Sequence, residues 1–222
     1  YQHQVESLQS YQEGKDVFVS TGTGSGKTEC FLWPLLIKLV TEAKTMPDSW
    51  KQRGVRAILM YPMNALVSDQ LSRLRRIMGD ANGEFLRIFQ ETAGVTARRP
   101  QFGMYTGRTP YADESPKEEK DRQLANMLSR YTQVTQNEDS TYYQALLREG
   151  KIPAKKDLSA FIAQLRQGVH QPDPEDAELI TRFEMQEHTP DILITNYSML
   201  EYMMIRPREK EIWDNTVKWM KE

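Results

Sequence analysis

Three glycines alternating with small hydroxylated residues constrain this chain more than any other stretch of it. Thr21-Gly-Thr-Gly-Ser-Gly-Lys27-Thr28 follows the apolar triplet Val17-Phe18-Val19 and runs into Glu-Cys-Phe-Leu-Trp-Pro-Leu-Leu. The triplet suits a buried strand, and the apolar run after the loop suits a helix. Glycines at alternate positions let the backbone turn with its N–H groups converging on one point, where the helix N-terminus also aims its positive dipole end. That arrangement binds an anion. In the strand-loop-helix pattern Gly-x-x-x-x-Gly-Lys-Ser/Thr, the lysine reaches the β- and γ-phosphates of a nucleotide and the hydroxyl ligates Mg²⁺. Gly22, Thr23, Gly24, Ser25, Gly26, Lys27 and Thr28 are therefore candidate ligands of ATP and Mg²⁺, with Lys27 and Thr28 the catalytic pair. The first position of the pattern is Thr21 instead of glycine, so the match is to a variant.

A second unit of the same kind follows. Val55 to Tyr61 reads as a buried strand, and Leu66, Val67, Leu71, Leu74 and Met78 then recur at helical spacing, with Arg73, Arg75 and Arg76 off that stripe. Between the two units, residues 41 to 54 carry Pro47 and Gly54 and read as a surface loop. Strand-loop-helix repetition in 222 residues points to an α/β domain around a mainly parallel sheet, with core enough for one large domain plus an insertion. Phe85 to Gln90 fits either a helix or a strand, while Gln101 to Tyr105 reads as a strand entering the turn Thr106-Gly-Arg-Thr-Pro110.

Residues 111 to 188 read as a mostly helical stretch, the insertion of the resemblance given below, with helices near 117–131, 141–148 and 158–167 and prolines at 153, 172 and 174. Ala160, Phe161 and Leu165 give it packing faces. Core character returns in Ile192-Leu-Ile194, and Met199, Leu200, Met203 and Met204 read as core. The tail from Glu209 reads as an amphipathic helix with Ile212, Trp213, Val217 and Met220 as its apolar residues. The division is thus 1–110, 111–188 and 189–222.

Charge is close to balanced, at −2 overall, which argues against a generic polyanion binder. Its distribution is uneven. Residues 51 to 108 hold ten Lys/Arg against four Asp/Glu, and residues 111 to 190 ten against fifteen. The first stretch is the one able to face phosphates. Cys30 stands alone, which excludes a disulfide framework and a cysteine-based zinc site and fits a cytoplasmic setting with Cys30 in the core. His3, His170 and His188 are too scattered for a metal cluster, and no apolar run is long enough to span a bilayer.

Several of these segments together resemble the first RecA-like domain of superfamily 2 DEAD/DEAH-box-type helicases. Gln4 stands before the loop where that family places an adenine-reading glutamine. Pro62-Met-Asn-Ala-Leu-Val-Ser-Asp-Gln70 resembles motif Ia, Thr106-Gly107-Arg108 the glycine motif after it, and Asp191-Ile-Leu-Ile-Thr195-Asn-Tyr-Ser-Met-Leu200 the later segment that grips the nucleic-acid backbone. Tyr-Pro-Met-Asn-Ala-Leu and Thr-Asn-Tyr-Ser-Met-Leu-Glu-Tyr resemble in wording large bacterial helicases of repair and phage-defence systems. The resemblance implies a RecA-like P-loop domain with a mostly helical insertion and ATP-driven movement on nucleic acid. It implies nucleotide contacts from Gln4 and Thr21 to Thr28, and strand contacts from Pro62, Asn64, Thr106, Gly107, Arg108, Thr195, Asn196 and Tyr197. Met63 and Asn64 replace the family's threonine and basic residue; Tyr197 either stacks a base or fills the core.

A single DNA strand is the expected track, with RNA not excluded, and a second RecA-like domain of the same longer protein is the expected partner. The family's Walker B Asp-Glu is expected after the tail helix. Asp113-Glu114 and Glu175-Asp176 do not follow apolar strands, so the chain alone is expected to hydrolyse ATP negligibly. Two other readings share these motifs: a double-strand translocase or restriction-type motor, and a non-enzymatic nucleic-acid-binding module with a relic nucleotide site.

Overall fold

The computed structural model describes residues 1–79, 83–110, 117–136, 140–167 and 171–222, with the side chains of residues 117–121 and 124 also outside the description. In chain order the elements are α1 (Gln2–Gln12), α2 (Glu29–Thr45), α3 (Pro47–Lys51), β1 (Ala57–Tyr61), α4 (Asn64–Met78), α5 (Glu84–Ala93) and β2 (Phe102–Tyr105). There follow α6 (Lys117–Thr135), α7 (Thr141–Arg148), α8 (Leu158–Arg166), β3 (Glu178–Leu179), α9 (Arg182–Glu187), β4 (Ile192–Asn196), α10 (Tyr197–Ile205), a 3-10 turn at Pro207–Glu209, and α11 (Lys210–Met220). The strands form one sheet in the order β1-β4-β2-β3, and every pairing is parallel. The fold is α/β, as the repeated strand-loop-helix units predict, and it agrees with a RecA-like domain.

Period-two alternation along the central strands divides the core between two layers. Ile192 and Ile194 of β4, with Phe102 and Met104 of β2, pack on α2, α4 and α5; Leu193 and Tyr105 point to the other face, against Met185, Met199, Met203 and Ile212. The insertion has a core of its own, in which Met127 and Tyr131 of α6 meet Phe161, Ile162 and Leu165 of α8. Its three helices fall where the sequence predicts them, although Ala160 is exposed and β3 adds a strand from within the insertion range to the main sheet.

Several expectations fail for identifiable reasons. Val17 to Val19 form no strand: Phe18 is 94% exposed, and among the described residues no strand pairs with the triplet, so it joins no ladder. β1 is an edge strand and only half-buried, with Leu59 inside and Ile58 and Met60 exposed. Residues 41 to 54 are mostly helical, because α2 runs on to Thr45 and Pro47 starts α3, which buries Trp50. On α4, Leu66 is exposed while Val67, Leu71, Leu74 and Met78 are buried. On α1 the buried residue is Ser7, whose hydroxyl donates to the Cys30 carbonyl at 2.6 Å, and Val5 faces out. Met204 is exposed, and α11 turns Ile212, Trp213, Thr216 and Trp219 inward instead of Val217 and Met220. Cys30 is buried as expected.

The amino ends of the strands are held by a buried ionic cluster. The Arg56 guanidinium lies 4.7 Å from both the Trp50 and the Trp219 rings and donates to the Glu42 carboxylate and to Asp191 Oδ1 at 3.0 Å. Arg98 stacks on Trp50 and makes a two-pronged pair with Asp191, at 2.7 and 2.8 Å. Asp191 also accepts the Gln101 N–H at 2.9 Å. Burial by itself would raise the Asp191 pKa, but Arg98 and Arg56 hold it below the usual carboxylate range. One carboxylate thus joins the segments leading into β1, β2 and β4.

That cluster revises the reading of the basic stretch. Arg56, Arg75 and Arg98 are in buried ion pairs, Arg73 pairs with Glu29, Lys51 with Asp48 and Arg87 with Glu91, and Arg99 donates to the Met78 and Glu175 carbonyls. Much of the local positive excess is internal structure, while Arg76 and Arg108 are exposed.

Candidate functional site

The glycine-rich loop leaves an anion a place to bind. Among the described residues, no hydrogen bond is made by the backbone N–H groups of Gly22 through Thr28. Gly24 and Gly26 have φ of +75° and +77°, the left-handed conformation that turns successive N–H groups to one side. The Lys27 ammonium folds back into the loop, donating to the carbonyls of Thr21 at 2.6 Å and Gly22 at 2.8 Å. Thr21, where the usual pattern has glycine, shares a hydrogen bond with Ser25, Oγ to Oγ, at 2.6 Å and closes the loop base. Thr28 is the N-cap of α2 but makes no side-chain capping bond, which leaves its hydroxyl available.

Gln4 meets the loop. Its Nε2 donates to the Gly26 carbonyl at 3.0 Å. The glutamine at this spacing therefore braces the last glycine of the loop. One turn further on, the Glu29 carboxylate pairs with Arg73, which ties the start of α2 to α4. A nucleotide's phosphates fit this cradle: the donors are N–H groups without partners, the cation is a lysine, and Gly22, Thr23 and Gly24 are open to solvent.

A second cluster lies where β1, β4 and β2 end. Tyr61 and Asn196 are register partners, as are Tyr105 and Thr195, so the loops after these strands emerge side by side. Asn196 Nδ2 donates to Asn64 Oδ1 at 2.7 Å, joining two segments 132 residues apart in the chain. Asn196 Oδ1 accepts the Met199 N–H at 2.8 Å and so caps α10 as well. Asn64 is the first residue of α4, with Met63 as N-cap. Pro62, Gly107, Arg108 and Tyr197 are exposed around this pair; Tyr197, at 65% exposure, does not fill the core.

Thr195 and Thr106 are placed differently from the sequence expectation. Thr195 is fully buried and its hydroxyl donates to the Tyr105 carbonyl at 2.6 Å. Thr106 is buried in a closed turn, where its hydroxyl accepts the Arg108 N–H at 3.1 Å while Thr109 Oγ1 accepts the Thr106 N–H at 2.9 Å. Both hydroxyls hold the loop ends together. Of the carboxylate pairs weighed in the sequence, Asp113-Glu114 lies outside the described residues. Asp176 is bound to Lys155 at 2.9 Å inside the insertion. Among the described residues no group of three or more His, Cys, Asp or Glu side chains could hold a metal, and no helix is long and apolar enough to cross a membrane.

A parallel sheet with a glycine-rich phosphate cradle, and a row of polar loops at its carboxyl edge, defines a RecA-like nucleotide-binding domain. Residues 1–104 match the DEAD/DEAH box helicase family. It is 38% identical over 244 aligned residues to the Druantia protein DruE of Escherichia coli strain UMEA 4076-1, an alignment that takes in all of this chain and 13% of that protein. It is 31% identical over 80 residues, 36% of this chain and 9% of the relative, to the uncharacterized ATP-dependent helicase YprA of Bacillus subtilis strain 168. Identity to the ATP-dependent DNA helicase hus2/rqh1 of Schizosaccharomyces pombe is 32% over 75 residues, 34% of this chain and 5% of that protein. No solved structure matches the chain significantly. The chain spans about an eighth of the length of the relative that it matches throughout.

Proposed function

We propose that the protein carrying this chain is an ATP-dependent helicase or translocase that couples ATP hydrolysis to movement on, or unwinding of, nucleic acid in the cytoplasm. The observation that carries this reading is the loop of unpartnered N–H groups around Lys27, braced by Gln4. Lys27 leaves the Thr21 and Gly22 carbonyls for the β- and γ-phosphates, because a charge-assisted bond to phosphate is stronger than one to a neutral carbonyl. Thr28 holds Mg²⁺, which when bound neutralises charge shared by those phosphates. Thr21 and Ser25 fix the base of the loop, and Gln4 contacts the adenine from the position it already occupies beside Gly26.

The nucleic-acid strand runs over Pro62, Asn64, Gly107, Arg108, Asn196 and Tyr197, with Thr106 and Thr195 positioning them. Asn64 and Asn196 offer neutral hydrogen bonds to phosphate, Arg108 an ionic one, and Tyr197 a face for a base. A single DNA strand is the track we favour; backbone contacts of this kind leave RNA open, since nothing in them selects against a 2′-OH. A second RecA-like domain in the same protein is the proposed partner that completes catalysis, so the chain by itself turns ATP over negligibly.

Titration with a fluorescent ATP analogue and Mg²⁺ tests the nucleotide site. Saturable binding by wild type, lost in Lys27→Ala, is the expected result; equal binding by the two proteins would favour a relic site. Strand displacement and ATP turnover by the full-length protein separate an unwinding enzyme from a double-strand translocase.

A further inference from the structure

Beside the proposed strand path, the insertion and the main sheet enclose a chamber of about 400 Å³. Its floor is apolar, from Leu71 of α4, Met104 of β2 and Met127 of α6. Among the described residues its charged lining is Arg75, Arg108, Arg130 and Lys151 against one carboxylate, that of Glu178. That carboxylate is already neutralised, because Arg75 donates to both of its oxygens, at 2.7 and 2.6 Å, and it also accepts the Ala154 N–H at 2.9 Å. Three exposed cations from three separate segments therefore face one space: Arg108 from the turn after β2, Arg130 from α6, and Lys151 from the turn after α7.

The supports of these cations are rigid. Gly150 has a φ of +67°, and a Cβ there would strike the Ser72 carbonyl, so the turn carrying Lys151 is pressed against α4. Arg75 reinforces that contact by donating to the Gly150 and Lys151 carbonyls at 3.4 Å. Arg130 precedes Tyr131, which is buried in the insertion core, and Arg166 of α8 donates to Thr132 at 3.0 Å. Among the described residues none of these three cations makes an ion pair. They raise the local potential, and the ligand that relieves it is an anion that also tolerates an apolar floor. A phosphodiester unit with its sugar and base has that chemistry.

We infer that the insertion is part of the nucleic-acid grip, with Arg130 and Lys151 binding the phosphate backbone of the strand beyond Arg108. This rests on the helicase reading of the loops at the sheet edge, because Arg108 is the link between the two. It gives the mostly acidic insertion a basic inner wall that its overall composition conceals.

The experiment is fluorescence anisotropy of the full-length protein with labelled oligo-dT of about six and about twenty nucleotides, over a series of salt concentrations. For Arg130→Gln with Lys151→Gln, binding of the longer strand should weaken about tenfold, and its salt slope should fall in magnitude by about 1.4, the value for two lost phosphate contacts on a single strand. Binding of the six-mer should change less than twofold. Arg130→Lys with Lys151→Arg should restore the slope, which a merely structural loss would not. An unchanged affinity and slope for the twenty-mer, while Asn64→Ala with Asn196→Ala still weakens both strands, would overturn this inference and leave the helicase reading standing. No binding of either strand by wild type would overturn both.

Discussion

Gly26 shows how much one residue can decide. Its φ of +77° costs an L-residue about 1–2 kcal/mol, and a Cβ there would lie 2.5 Å from Gln4 Nε2. Gly26→Ala should displace Gln4, weaken the fluorescent ATP analogue about tenfold, and lower the stability by about 1–2 kcal/mol. Titration beside a thermal melt checks both parts. Such glycines are legible in sequence because the requirement is local. Gln4 is legible only through the family resemblance, and its bond to Gly26 O is a contact that no spacing rule supplies. Thr195 marks the opposite limit. Its place in the segment predicts a phosphate contact, yet its register beside Tyr105 on β2 turns the hydroxyl inward, and the pairing of strands 90 residues apart is invisible in a linear pattern.

At the scale of elements, helices are the readable part. α4, α7 and α8 fall within a few residues of their predicted spans because apolar periodicity and capping residues are local signals. Ser140 and Asp157 accept the N–H bonds that start α7 and α8, at 3.0 and 2.8 Å. The strand expected at Val17 to Val19 fails since a strand needs a neighbour, and β3 escapes notice because two residues carry no period. Asn196 belongs to two elements at once. Asn196→Ala should cost about 1 kcal/mol in urea unfolding through the lost α10 cap, and in the full-length protein it should also weaken single-strand binding by freeing Asn64. Arg56 ties α2, α3, α11 and the segment before β4 together. Arg56→Leu leaves Glu42 and Asp191 buried with less compensation and should destabilise by about 3–5 kcal/mol, read from the shift in urea midpoint at constant slope.

For the molecule as a whole, the same ionic cluster sets the response to acid. Burial, and then the nearby charges of Arg53 and Arg98, push the His188 imidazole down to about 4 from an ordinary 6.5. Between those values the unfolded chain takes up a proton that the folded chain refuses. Stability should therefore rise with pH across that window and fall as pH drops through it, by about 1 kcal/mol once solvent screening of a half-buried ring is allowed for. Asp191 acts lower still: its stabilisation is present above the unfolded carboxylate value and is lost as pH falls through its depressed folded value. Urea unfolding at about pH 7.5 and about pH 5 should show the difference, and His188→Gln should flatten it; an unchanged slope in the variant would place the effect elsewhere. The sequence by itself determined the phosphate loop, the α/β class and most helices, because each follows from neighbours a few residues apart. Only the tertiary structure decided which arginines are exposed and which are struts. A guanidinium's role depends on the carboxylates and rings that the fold brings to it, and for Arg56 and Asp191 those lie 135 residues apart.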